Sequence, residues 1–177
     1  MSWITPDDLR TFVSNQKPGD DPLLTIAADV ACGKVENLCG PIAWTAIVGE
    51  RVEVQGATEV CLQYRVTRGL TDVSAYYPAN PYTLTDWVAE GQVLKLKART
   101  PIYTDLSVSY LTGYFDATDT AAIAPAWARS MALHIGQQWL KTVGKFRSSA
   151  STDPVGFLVP FPALEAGRDY LLAPRVG

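Results

Sequence analysis

The sequence predicts an α+β fold. A small helical bundle, at about 6–14, 22–39, 125–143 and a short C-terminal helix, carries an inserted antiparallel β-meander or small barrel at about 51–114. Three observations predict it. Apolar and polar side chains alternate at Leu106-Ser107-Val108-Ser109-Tyr110-Leu111, at Val52-Glu53-Val54-Gln55 and at Val93-Leu94-Lys95-Leu96-Lys97. A period of two sets one face of a strand on a core and the other in water. Turn signals separate these runs: Gly56-Ala57-Thr58, Arg68-Gly69, Pro78-Ala79-Asn80-Pro81, Glu90-Gly91 and Thr100-Pro101. On either side of the region, apolar residues recur at helical spacing instead.

The first helix starts at Thr5-Pro6-Asp7-Asp8, where Thr5 can cap and Pro6 fits the first turn. Asp7 and Asp8 then lie at the positive end of the helix dipole. Leu9, Phe12 and Val13 form its apolar stripe, and Lys17-Pro18-Gly19-Asp20 ends it. The second helix opens with Asp21 as cap and Pro22 in the first turn. Leu23, Ile26, Ala27 and Val30, with Leu24, Ala31, Val35 and Leu38, give it a broad apolar face. Gly40-Pro41 stops it, since glycine suits a left-handed cap and proline cannot continue the helix.

Residues 42–49 read as an extended link into the sheet. Strands are expected at about 51–55, 60–66, 70–77, 82–85, 92–98 and 106–113, with Trp87 to Leu94 forming a hairpin that turns at Glu90-Gly91. Pro125 belongs in the first turn of the third helix. Ala128, Met131, Ala132, Ile135, Gln138, Trp139, Thr142 and Val143 mark its inner face, and Gly144 is its expected stop. Residues 146–153 are polar and rich in serine, and 162–172 can form a last short helix. The domain plan is therefore 1–49 with 115–145 helical, 50–114 β, and 146–177 a C-terminal arm.

Composition narrows the function. The chain has 177 residues, 47% hydrophobic and 19% charged, enough for one domain with a real core. The net charge of −3 and the lack of a basic tract argue against reading a DNA sequence. Five Trp and eight Tyr are many for this length and point to surface covered by partner subunits. Met1-Ser2-Trp3 has no basic or apolar leader character, and no apolar run reaches the length of a membrane span. Three cysteines, Cys32, Cys39 and Cys61, do not make a disulfide framework and read as small buried hydrophobes.

No catalytic, cofactor or metal site is expected. The single histidine, His134, lies mid-helix between Leu133 and Ile135, and there is no Gly-x-Ser-x-Gly elbow to serve it. Six residues between Cys32 and Cys39 is not a zinc-knuckle spacing. Asp116 and Asp119 lack a calcium-loop frame, and capping explains them more simply. The aromatic group Tyr76, Tyr77, Tyr82 and Trp87 can be read as a sugar- or peptide-binding platform of a β-rich binding module. Packing against the sheet or a neighbouring subunit is preferred, because no acidic or amide residues accompany the aromatics.

The order of these pieces resembles the head–tail connector proteins, also called adaptor or head-completion proteins, of long-tailed bacteriophages. The pieces are Trp3-Ile4-Thr5-Pro6-Asp7-Asp8-Leu9, then Asp20-Asp21-Pro22-Leu23-Leu24 leading to Cys39-Gly40. Next comes Val108-Ser109-Tyr110-Leu111-Thr112-Gly113-Tyr114, a Val-x-Tyr-x-x-Gly-Tyr ending frequent in that family, followed by a helix after a proline. The tail Gly156-Phe157-Leu158-Val159-Pro160 with Leu171-Leu172-Ala173-Pro174-Arg175 looks like the family's closing segment. The resemblance spans nearly the whole chain, although the simplest family members are almost all helical and lack the β insert.

The resemblance implies a structural virion protein and no enzyme: an oligomeric ring, commonly twelve-fold, docked below the portal and continuing the DNA channel to the tail. Its expected partners are copies of itself, the portal protein and a tail-side neck or tail-terminator protein. DNA passes non-specifically through the channel, and no membrane is involved. It belongs at the neck of the virion, assembled in the host cytoplasm, or as a tail-completion or neck protein at another position. The helical parts would form the ring and 146–177 the docking arm. Phe157, Leu158, Phe161, Tyr170, Leu171, Leu172 and Arg175, with Tyr76, Tyr77, Tyr82 and Trp87, are then the candidate partner-binding residues.

Overall fold

A computed structural model describes residues 2–13, 21–54, 57–76, 81–83, 87–96, 105–119, 121–146 and 159–173. The chain is mixed α+β and divides into two units. One is helical, Met1–Cys39 with Ile123–Leu171, and the other is β-rich, Gly40–Ala122 with Leu172–Gly177.

In the helical unit, α1 (Pro6–Phe12) begins with a capping box. The Thr5 hydroxyl accepts from the Asp8 N–H at 3.1 Å, and the Asp8 carboxylate accepts from the Thr5 N–H at 2.8 Å. Arg129, from α3 (Ala126–Phe146), donates to the same carboxylate at 3.0 Å and ties the first helix to the third. The helix α2 (Asp21–Cys39) packs along α3. Its buried side is Leu24, Ala27, Ala28, Ala31, Cys32, Val35 and Cys39, and α3 answers with Ala128, Met131, Ala132 and Ile135. These are mostly small side chains, which lets helices approach closely. Gly136 continues the theme: a Cβ there would sit 2.7 Å from Leu9 Cδ2.

The third helix runs past Gly144 to Phe146, beyond the expected stop. A glycine inside a helix costs about 1 kcal/mol against alanine, too little to end one of 21 residues. The short α4 (Phe161–Ala166) and the 3-10 turn Arg168–Tyr170 lie against α3. Ala163 is buried, and a Cβ on Gly167 would meet Met131 Sδ at 2.5 Å. Tyr170 stacks on Trp127 with ring centroids 4.0 Å apart and planes within 2°.

Among the described residues, the β unit holds seven strands in two antiparallel sheets, rather than one sequential meander, and no barrel closes. One sheet has the order β1 (Thr45–Glu53), β7 (Asp105–Thr112), β3 (Gly69–Tyr76), β4 (Pro81–Thr83). The other has the order β2 (Glu59–Cys61), β6 (Val93–Leu96), β5 (Trp87–Glu90). The β5–β6 hairpin is present, turning at Gly91-Gln92, one residue later than expected. The predicted strand at 82–85 and the turn at 78–81 fall partly outside the described residues, as do the loop at 100–101 and the serine-rich stretch at 147–153.

The first strand corrects the sequence reading. It begins at Thr45, inside the supposed link, and its register with β7 shifts between Ile47 and Glu50. Gly49 sits at that bulge with φ +67°, its N–H donating to Ser109 Oγ at 3.1 Å. The extra residue breaks the period of two, so alternation could not reveal the strand. Residues 62–66 also leave the expected strand. There the Gln63 N–H bonds Glu50 at 2.7 Å and the Tyr64 N–H bonds the Tyr110 hydroxyl at 3.1 Å, side chains replacing a ladder.

The strand β7 does read as predicted, with Leu106, Val108, Tyr110 and Thr112 buried on one face. Both sheets contribute to one core of Val54, Val60, Leu62, Val73, Trp87, Leu94, Leu106, Val108 and Tyr110. The Tyr110 hydroxyl is satisfied inside that core by donating to Glu50 at 2.6 Å. At the end of β7, Gly113 adopts φ +99°, and a Cβ there would lie 2.2 Å from the Ala43 carbonyl oxygen. The chain entering the unit is bonded to the chain leaving it: Trp44 N–H to Phe115 O at 2.9 Å, Tyr114 N–H to Ile42 O at 2.7 Å.

Gly113→Ala therefore combines a backbone clash with a strained φ, and should cost about 3 kcal/mol in urea unfolding. A loss under about 0.5 kcal/mol would show that the close approach is not made.

Asp8 yields an acid-limb prediction. Burial raises its carboxyl pKa, but the Thr5 main-chain and hydroxyl bonds together with Arg129 outweigh it and hold the group below its ordinary value. The stabilisation is complete above the unfolded carboxylate pKa of about 3.9, and is lost as pH falls through the lower folded value. Urea midpoints should fall between pH 5 and pH 3 by less in Asp8→Asn than in the unaltered chain.

Candidate functional site

The titratable groups do not assemble into a catalytic arrangement among the described residues. His134 lies half-buried on α3, and Phe12 meets its ring edge-to-face, centroids 5.0 Å apart. Cys32 and Cys39 are buried on α2, with Cys39 Sγ 3.9 Å from Met131 Sδ. No three His, Cys, Asp or Glu side chains are grouped as a metal would need, among the described residues. Asp116 and Asp119 bond their own loop. Asp116 accepts from the Thr118 hydroxyl at 2.6 Å and N–H at 2.9 Å, and Asp119 from the Ala121 N–H at 2.9 Å. The Thr118 bonds, helped by Arg68, hold the Asp116 carboxyl below its ordinary pKa.

The expected partner-binding residues are scattered. Phe157, Leu158, Arg175 and Tyr77 lie outside the described residues. Phe161 opens α4 and is 73% exposed. Tyr170 is half-buried through its stack on Trp127, and Leu171 and Leu172 are half-buried too. Tyr76 and Tyr82 lie on the paired strands β3 and β4, where Tyr82 is opposite Ala75 and Tyr76 opposite Pro81, so they are not cross-strand partners. Trp87 takes the packed position that the sequence reading preferred over a platform. It is only 4% exposed, a member of the shared core, and its ring offers no face to a ligand.

What the helical unit does present is an apolar strip within the broad apolar face that the sequence reading gave to the second helix. The broad apolar face of α2 proves to be two faces. Leu24, Ala27, Ala31 and Val35 turn inward, whereas Ile26 and Val30 are 48% and 36% exposed. Ile26, Val30 and the exposed Gly33 follow one another at i, i+4 and i+7, which places them along one side of the helix. The signal was in the sequence: a stripe wider than one packing face requires implies a second contact. Phe12 on α1, Ile123 just before α3 and Phe161 at the start of α4 are the other large exposed apolar residues of the helical unit among those described.

On the β unit, the Arg68 guanidinium lies 3.7 Å above the ring centroid of Trp44, which is 42% exposed. Val48, at the β1 bulge, is 83% exposed. Lys95 bridges Glu90 at 2.6 Å and Glu59 at 3.8 Å across β5, β6 and β2, and the Glu90 bond and charge raise its pKa. Solvated ion pairs of this kind contribute little to stability.

No protein-family model matches the chain, and no curated protein is significantly similar to it. No described helix is long and apolar enough to cross a membrane.

If Ile26 and Val30 lie outside the core, Ile26→Ser with Val30→Ser should leave the monomer's unfolding free energy within about 0.5 kcal/mol. Leu24→Ala on the inward side should cost about 3 kcal/mol. Equal losses from both would place the strip in the core instead.

Proposed function

We propose that the chain is a structural, non-enzymatic subunit of a bacteriophage neck: a head-to-tail adaptor that forms a ring with copies of itself between the portal and the tail. The reading rests on the order of sequence elements that resembles the connector family. The observation that carries it is the bare Ile26–Val30 strip on a helix whose opposite side is already committed to a packed partner. A ring needs a heterologous contact, with a different patch on each side of every subunit. Covering two half-exposed aliphatic side chains contributes only about 1 kcal/mol each. Repetition around a closed ring makes such modest contacts sufficient.

In this reading the portal protein meets one side of the ring and a tail-side neck protein the other. The mild net charge of −3 suits a lining past which DNA moves without sticking. Assembly takes place in the host cytoplasm, and the product is a virion component. The rival binding-module reading is weaker, because one of its four aromatics is sealed in the core.

Light scattering of the purified chain, alone and with portal protein, tests the proposal. The expected result is a species of many copies when portal is present, absent with Ile26→Asp and Val30→Asp. A chain that stays monomeric with portal, or that assembles equally well with both aspartates, would overturn it.

A further inference from the structure

The β unit contains a buried amide that serves no strand ladder. Gln92 follows Gly91 in the β5–β6 turn, where side chains are ordinarily solvated, yet it is only 8% exposed. Its main-chain carbonyl accepts from the Leu62 N–H at 2.8 Å. Its side-chain Nε2 donates to the Leu62 carbonyl at 2.9 Å and to the Gln63 carbonyl at 3.4 Å. Those bonds fix the amide so that Oε1 points away from the 62–63 segment. That oxygen accepts from the Ala173 N–H at 2.9 Å.

The residue before Ala173 has its own place. At Gly40, where φ is +84°, the position of an absent Cβ is 2.9 Å from Tyr64 Cδ1 and 3.7 Å from Leu172 Cδ2. The lack of a side chain at Gly40 leaves the space that the Tyr64 ring and the Leu172 methyl share. An apolar side chain in a slot, followed by a main-chain N–H on a fixed acceptor, is the pattern by which proteins hold extended peptide. The acceptor reads backbone, so it does not depend on which side chain follows.

We propose that Gly40, Tyr64 and Gln92 form a peptide-docking notch whose occupant is the chain's own Leu172-Ala173 segment, and that Gln92 is its releasable lock. Among the described residues, one hydrogen bond and one half-buried leucine hold Leu172 and Ala173, whereas β2 and β6 are held by ladder bonds and a shared core. The segment thus opens at far lower cost than the unit that carries it. Opening exposes Leu172. The inference does not depend on the ring reading.

Amide hydrogen exchange in the full chain, followed by NMR, tests it. Gln92→Met keeps length and burial but removes the acceptor. Exchange at Ala173 should quicken at least tenfold, while Val93 to Leu96 keep their protection. Unchanged protection at Ala173 would overturn the proposal. So would equal loss at Ala173 and across β6, which would make Gln92 merely structural. If Gln92→Met does not fold, Ala173→Pro deletes the donor and leaves Gln92 intact. Nuclear Overhauser contacts between the Leu172 methyls and Gly40 Hα should then vanish, and their persistence would equally refute the lock.

Discussion

The pairing of the strand that enters the β unit with the one that leaves it is the constraint on which the architecture depends. Ile42, Ala43 and Trp44 run beside Tyr114 and Phe115, and the bond pattern includes a parallel bridge between Ala43 and Phe115. Gly113 makes this possible, because any side chain there would strike the Ala43 carbonyl. An inserted unit whose two ends lie together asks little of its host. The helical unit can therefore close through contacts between α2 and α3, although 83 residues of β unit separate them in sequence, from Gly40 to Ala122.

That closure decides what the helices can offer outside. With Leu24, Ala27, Ala28, Ala31, Cys32, Val35 and Cys39 committed to the interior, Ile26 and Val30 stand exposed on the other side of α2. The small residues along the interior face bring the helices close, and Met131 fills the gaps between Cys39 and Gly167 with a flexible thioether. A tightly closed pair of helices with one dry face and one bare face is a frame suited to side-by-side repetition. The β unit spends its polar groups on itself: Tyr110 on Glu50, Gln63 on Glu50, Arg68 on Trp44.

Much of this was legible in the residues. Thr5-Pro6-Asp7-Asp8 announced α1 through the capping box that forms, and Leu106 to Leu111 announced β7 through strict alternation. Gly40 at the end of α2 was readable because a left-handed cap admits few other residues. What stayed hidden has physical causes. A bulge at Gly49 shifts the alternation of β1 and masks its first half. The pairing of β1 with β7 is long-range, so adjacency in sequence pointed to a meander that the sheet does not follow. The exposed strip stayed hidden for a different reason. Periodicity finds an apolar face but does not say whether the protein itself or a partner covers it, so Ile26 and Val30 stood undivided from Leu24 and Val35 in one broad face. Trp87, an aromatic near a hairpin, was open to both a packed and an exposed reading, and it fills the core to which both sheets contribute.

The functional account is tested most directly by location. Electron microscopy of particles purified from a lysate that contains this chain, labelled with a gold-conjugated antibody against it, gives the answer in one image set. The account predicts gold at the junction of head and tail on every intact particle. Gold on the capsid wall, on the tail fibres, or on no particle at all would contradict it.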